Sequence, residues 1–252
     1  MARRDPLEPT SRSRGPRTVR SDASKADALP PFGGFPEGGG AFFRALAAHQ
    51  DREWFAAHKG EYEALWQQPM TSLLNDLRAA LDDAYPMVSE SNPKVFRLHR
   101  DTRFSKDKTP YKTHCAGSLS LSGGQPMTGT GLYLQVGADP AFFAAGRWML
   151  EKEDLEKFRA ALAADTGVAL ARLLAAAQKK GFVLVAHDTL KRVPAPYPSD
   201  HARADLLRLK GFALRFPDAP PALLHEKKLV AWVVKQAKSI APLLEWLDDA
   251  VG

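Results

Sequence analysis

The hydrophobic period of this chain switches once, near Lys94, from helical to extended spacing, and that switch constrains the fold more than any other feature. Before it, Trp54, Phe55, Tyr62, Leu65, Trp66, Met70, Leu73, Leu74, Leu77 and Leu81 recur three and four residues apart, the spacing of one face of a helix. After it, Phe96 and Leu98 alternate with Arg97 and His99, and Tyr111, Thr113, Cys115 and Gly117 alternate with Lys112, His114, Ala116 and Ser118. Alternation of this kind makes a strand with two unlike faces. Leu132, Leu134 and Val136 mark a third strand, residues 142–148 a fourth, and Gly137-Ala138-Asp139-Pro140 a short hairpin between them. Short links imply antiparallel pairing, because parallel strands need long crossovers.

Helical spacing returns over 152–164 and 168–180, with Gly181 as a C-terminal stop. Residues 182–185 and 211–216 read as short strands near the sheet. The last helix is expected from Pro221, with Leu224, Val230, Val233, Val234 and Ala237 facing inward and Pro242 breaking it before 243–247. Helices flanking a central block of strands predict an α+β fold: a single domain with an antiparallel sheet of about four or more strands packed with flanking helices. The aromatic stripe of Trp54, Phe55 and Trp66 is read as core packing.

Residues 1–30 carry Arg, Ser and Pro without an apolar period, so nothing repays the entropy of ordering them. They are expected to be a disordered basic tail, with the domain over 31–252. The 252 residues carry a formal net charge of +6. Residues 1–28 hold seven Lys/Arg against four Asp/Glu, which is +3; the remainder holds 28 against 25, also +3. The domain is therefore only mildly basic, unlike a broad duplex-binding face. No apolar run approaches bilayer length, so no membrane association is expected. The basic N-terminus lacks the apolar stretch of a secretory signal. The single cysteine, Cys115, rules out an internal disulfide and any multi-cysteine metal site. A reducing cytoplasmic location is the expectation.

The charge of the domain is concentrated in one place. Lys94 to Lys112 spans nineteen positions with seven cations, Lys94, Arg97, Arg100, Arg103, Lys106, Lys108 and Lys112, against two acids, Asp101 and Asp107. Such density repels itself unless an anion or water balances it. Val95, Phe96, Leu98, Phe104 and Tyr111 are interleaved with the charges, so the segment is expected to be packed into the domain.

Arg97, Arg100-Asp101, Arg103-Phe104, Asp107-Lys108 and Tyr111 fit R-x-x-R-D-x-R-F-x-x-D-K-x-x-Y. This resembles the signature of an uncharacterised, mainly bacterial family classed as a domain of unknown function. Arg52-Glu53-Trp54-Phe55 and Gly146-Arg147-Trp148-Met149 are also similar to it, and the resemblance covers about residues 40 to 249. It implies one soluble domain and brings no established activity, cofactor or catalytic residue. Members usually carry Tyr or another residue where this chain has His99, which argues against a role resting on His99.

Strand parity predicts which residues cooperate. Arg97, His99 and Asp101 are expected on one face, and Lys94, Phe96, Leu98 and Arg100 on the other. Lys112 and His114 of the next strand would join the first face, with Arg103 and residues 106–108 closing over it. Guanidinium groups grip phosphate or carboxylate through paired hydrogen bonds. The expectation is therefore an enzyme acting on a phosphorylated or other anionic small molecule. Arg97, Arg103, Lys108, Tyr111 and Lys112 would bind the substrate, and Asp101 would transfer protons as the catalytic group. Arg100 is the structural candidate, held by Asp101 or Asp107.

The alternatives are a non-catalytic module that binds nucleic acid or an acidic partner, with Tyr111 or Tyr197 stacking on bases, and a purely structural ion-pair network. No cofactor or metal is expected. His99 and Asp101 with a distant histidine are only a chance match to an iron site. Cys115 is expected to be a small core residue facing away from His114. There is no P-loop, G-x-G-x-x-G, G-x-S-x-G or H-E-x-x-H motif. The substrate, the reaction and the oligomeric state are not readable from these residues.

Overall fold

The computed structural model describes residues 29–38, 40–123 and 129–252, so nearly all of the expected tail lies outside the described residues. The first half is helical. Helix α1 spans Gly40–Ala48, α2 Arg52–Tyr62 and α3 Gln68–Ala80. Asp51 caps α2, its carboxylate accepting from the Trp54 N–H at 2.7 Å. Between α2 and α3 the backbone forms a π-helical turn, Glu63–Gln67, in which the Gln68 N–H reaches back to the Glu63 carbonyl. Pro69 follows immediately and has no N–H to donate, so the widened turn falls where the α ladder would lose a bond.

This helical layer buries Phe55, Tyr62, Trp66, Met70, Leu73, Leu74, Leu77 and Leu81, as the period predicts. Two members of the stripe differ. Leu65 is 39% exposed. Trp54 is half-buried, stacked between His49 and His58 at ring separations of 5.6 and 3.9 Å.

The sheet has six strands: β1 Lys94–Val95, β2 His114–Ser120, β3 Gly131–Gly137, β4 Phe142–Arg147, β5 Val183–Val185 and β6 Phe212–Arg215. The order is β1-β2-β3-β4-β6-β5, and every neighbouring pair is antiparallel. The fold is thus a single α+β domain, with the expected meander and two further strands at its far edge. One face of the sheet carries Cys115, Gly117, Leu119, Leu132, Leu134 and Leu214 into the core. There α3 lies so close that a side chain on Gly117 would meet Leu74 and Met70.

Helices α4 (Lys152–Ala163) and α5 (Thr166–Lys179) follow β4, the short α6 (Ala204–Leu207) precedes β6, and α7 (Lys228–Ser239) and α8 (Ala241–Val251) close the chain. Gly181 takes a left-handed φ of 90°, and the Phe182 N–H reaches the Ala177 carbonyl, which ends α5 as expected. The last helix does not begin at Pro221. Residues Pro221–His225 form a 3-10 turn, and α7 starts at Lys228 with Leu229, Val233 and Ala237 as its buried side. Pro242 does mark the break, in the first turn of α8. No single helix among the described residues is long and apolar enough to cross a membrane.

Candidate functional site

The basic segment runs from β1 to the start of β2, and its backbone is not one strand. Lys94 and Val95 pair with Ser118 and Gly117, and the Phe96 N–H still reaches the Ala116 carbonyl. Beyond that the pairing slips: the Lys112 N–H donates to the Leu98 carbonyl, and His99 bridges Tyr111. Two residues are thereby skipped on the β2 side, where His114 and Cys115 are already committed to Gly137 and Val136 of β3. The slip is a bulge, and bulges re-aim side chains.

The expected parity fails here for that reason. Phe96 stays beside β3, 6.1 Å from the Tyr133 ring, whereas Leu98 turns into the core at 3% exposure. His99 turns toward α2, its ring 5.9 Å from Phe55 and 4.9 Å from Tyr111.

The four-residue patch expected from parity therefore divides. Lys112 feels the charge of Arg97 and His114 that of Lys112, whereas the His99 ring packs near Phe55 and Tyr111. Lys112 is half-buried, with Nζ 5.8 Å from the Phe96 ring centre, and Lys94 approaches the same ring at 5.7 Å. The Lys112 pKa is held below the usual lysine value, first by burial and then by the Arg97 charge. His114 is held below 6.5, first by burial and then by Lys112, so its imidazole is neutral at pH 7. Neither Arg97 nor Lys112 forms an ion pair among the described residues, since the ten pairs found use other cations.

The loop beyond is closed on itself. Arg103 donates to Asp101 through Nε at 3.0 Å and a terminal nitrogen at 2.8 Å, and the Arg103 N–H adds a third bond at 3.2 Å. These hold the Asp101 carboxyl down at about 2, the Arg103 side chain contributing most. Asp107 accepts the Thr109 N–H at 2.9 Å and the Thr109 hydroxyl at 2.8 Å, and it also takes Arg100. Its pKa is likewise lowered to about 2, first by the Thr109 N–H and then by Arg100. Lys108 donates to the Thr102 carbonyl at 2.8 Å. Arg103 and Lys108 thus fasten the loop instead of closing over the patch.

Arg100 pairs with Asp107, one of the two acids expected to hold it, and the Asp107 side chain is 57% exposed. Phe104, expected to be packed, is 94% exposed. Tyr111 is the reverse: its ring is buried against Phe55 at 4.6 Å, and its N–H donates to Gln50.

Asp101 lines neither the groove beside β3 nor the hollow beside Trp66. A general base works best with a pKa near the operating pH, and a carboxyl at about 2 that already accepts three bonds is far from that. No group of three or more His, Cys, Asp or Glu side chains among the described residues is arranged to hold a metal ion. Cys115 is fully buried, 3.7 Å from the Tyr62 hydroxyl, and burial pushes its thiol up to about 12. It is a core thiol and not a nucleophile.

Lys94 and His114 belong to the cation cluster yet were not among the predicted binding residues. Alternation within β2 placed His114 beside Lys112, but only the pairing of β1 with β2 brings Lys94 to the same aromatic ring. Arg147, in the Gly146-Arg147-Trp148-Met149 stretch, proves to be a structural hub. It is 13% exposed and donates to Asp154 and Asp248, each at 3.0 Å.

A model of conserved hypothetical proteins, the DUF2461 family, matches residues 40–246, and the chain belongs to that family. No curated protein and no solved structure matches it.

Proposed function

We propose that this DUF2461 member binds an anionic small molecule, carrying phosphate or carboxylate, between Arg97 and Lys112 with His114 alongside. One observation carries this reading: the half-buried Lys112 feels the charge of Arg97, and neither cation forms an ion pair among the described residues, although Arg97 also helps to lower the Asp101 pKa. Like charges held together in a partly dry place are stabilised by a counter-anion. The family match supports neither an activity nor a substrate.

If the ligand is a substrate, the proton-transfer role moves from Asp101 to His114, which is neutral at pH 7 and lies next to the cations. Arg103, Lys108 and Tyr111 then support the site by shaping its loop and wall.

Calorimetric titration against inorganic phosphate, phosphate monoesters and small carboxylates tests this. Arg97→Ala and Lys112→Ala should abolish binding, Arg97→Lys should restore only part of it because the fork geometry is lost, and Arg103→Ala should leave it intact. If no anion of the panel binds at moderate salt, the proposal fails.

A second reading has its own support. Phe104 projects from the loop at 94% exposure, with the Arg103 guanidinium 5.7 Å from its ring centre. An exposed aromatic among cations suits stacking on a single-stranded nucleic acid. Tyr111 is buried and Tyr197 only half-exposed, so Phe104 would be the stacking residue. Fluorescence anisotropy with a labelled single-stranded oligonucleotide, comparing the parent with Phe104→Ala, decides it: equal and salt-abolished binding would leave only bulk charge.

A further inference from the structure

The sheet face turned away from α3 is paved with small residues. Direct cross-strand pairing sets Lys94, Ser118, Tyr133, Ala144 and Arg215 in one row across five strands. Two positions along each strand, Gly131, Gly146 and Ala213 form a parallel row. Sheets usually fill such positions with β-branched or aromatic residues. Here Ser118, Gly131, Ala144, Gly146 and Ala213 instead leave a groove of about 390 Å³, within the size range of small-molecule sites. Tyr133, Phe142 and Trp148 line it, the first two rings standing 6.0 Å apart and inclined at 68° in an edge-on arrangement. At one end Trp148 and the adjacent Met149 are 45% and 51% exposed.

Two further observations point to a ligand. Ser118 lines the groove and is only 4% exposed, and its buried hydroxyl has no hydrogen-bond partner among the described residues. Buried hydroxyls are nearly always satisfied, so one left over needs a reason. The groove also has the cation cluster as a neighbour, one ring away. Tyr133 touches Phe96 at 6.1 Å, and Lys94 and Lys112 sit against the same Phe96 ring. Phe96 thus stands between Tyr133 of the aromatic-walled groove and the two lysines.

Resting on the anion site proposed above, we infer that the groove is the second compartment of the same site. It takes the flat apolar body of the ligand, whose phosphate or carboxylate lies at Arg97 and Lys112. The ligand class is therefore an amphipathic anion with an aromatic or similar apolar group. Such a body covers the small-residue floor, stacks against Tyr133 or Trp148, and offers a polar atom to Ser118.

Three probes test this on the full chain: 1-naphthyl phosphate, inorganic phosphate and 1-naphthol, followed by calorimetry and Trp fluorescence. Naphthyl phosphate should bind at least about tenfold more tightly than inorganic phosphate, since ring burial adds to the anion contact. Ala144→Leu, which fills the floor, should remove that advantage and leave inorganic phosphate affinity unchanged. In case the added bulk disturbs folding, Trp148→Ala changes an exposed wall residue and should reduce the advantage severalfold. Ser118→Ala should weaken naphthyl phosphate alone without lowering the unfolding temperature, because the hydroxyl it removes is unpaired.

If both anions bind equally, or if Trp148→Ala and Ser118→Ala leave the ratio unchanged, the groove inference is overturned while the anion site stands. If naphthol binds in the groove and inorganic phosphate does not bind, the anion site falls and an apolar pocket remains. If none of the three binds, both fall.

Discussion

Arg147 and Arg97 are both strand-associated arginines, and the fold treats them in opposite ways. Arg147, at the end of β4, is 13% exposed and bonded to Asp154 of α4 and Asp248 of α8, with Thr130 beside it. Its charge is balanced inside the domain, and it ties the sheet to two helices. Arg97 follows β1 in the most cationic stretch of the chain, where each acid is already engaged by another arginine: Asp101 by Arg103 and Asp107 by Arg100. Among the described residues Lys94, Arg97, Lys106, Lys108 and Lys112 are left without an ion pair, and among them Arg97 acts on the half-buried Lys112. The lesson is one of supply. An arginine becomes structural when distant chain segments deliver carboxylates to it, and Asp248 comes from 101 residues away. Where the local acids are used up by near neighbours, the surplus cations are available to a ligand.

Substitution separates the two regions, and the largest effect should come from Arg147. Arg147→Ala leaves two partly buried carboxylates facing each other and should cost about 3 kcal/mol, read as a fall of roughly 6–12 °C in the thermal unfolding midpoint. Arg100→Ala should lower the midpoint by less than half as much, because its partner is exposed and surface pairs are weak. A fall as large as that of Arg147→Ala would make the loop a structural network and blur the contrast. Arg97→Ala should move the midpoint by no more than about 1 °C, or raise it slightly at low salt by relieving repulsion from Lys112.

Two pH effects sharpen the comparison further. His114 has a folded pKa below its unfolded value, so its contribution to stability is present above about 6.5 and lost as pH falls through the folded value. Protonation there adds a third cation, so affinity for an anion of constant charge, such as sulfate, should rise as pH falls through the folded His114 value in the parent and stay flat in His114→Ala. Asp101 and Asp107 both titrate at about 2 when folded. Their contribution is present above the usual carboxylate range near 4 and is lost only as pH falls toward 2. Carboxyl NMR titration checks this, and ordinary values near 4 would show that the arginine pairs do not form in solution.

Much of the architecture was legible because it rests on local rules. The switch of period near Lys94, the hairpin at Gly137 to Pro140, the left-handed Gly181 and the break at Pro242 each follow from a few neighbouring residues. The misreadings arose where distant pairing decides. Parity put Arg97 and His99 on one face, but β2 was already registered against β3, and the bulge sent His99 to Phe55 and Tyr111. The Pro221 start failed because a 3-10 turn occupies the position a helix start would use. Phe104 was assumed packed because it interrupts charges, yet hydrophobicity alone does not say which side of a loop faces the core.

Within the site, the concentration of charge was visible and its partition was not. Which arginines Asp101 and Asp107 take depends on loop geometry, through turns closed by the Arg103 and Thr109 N–H groups. The groove had no local signal at all. Ser118, Gly131, Ala144 and Ala213 lie on four different strands and meet only through the pairing of β2, β3, β4 and β6.

Under the proposed anion site Arg97 and Lys112 take an external anion, whereas Arg147 has the carboxylates of Asp154 and Asp248. The most direct measurement is the unfolding midpoint as inorganic phosphate replaces chloride at constant ionic strength, in the parent, Lys112→Ala, Arg97→Ala and Arg103→Ala. A ligand that binds only the folded state raises the midpoint in a saturable way. A saturable rise is expected in the parent and in Arg103→Ala and none in the other two. An equal rise in all four proteins, or no rise in the parent, would contradict the proposed site.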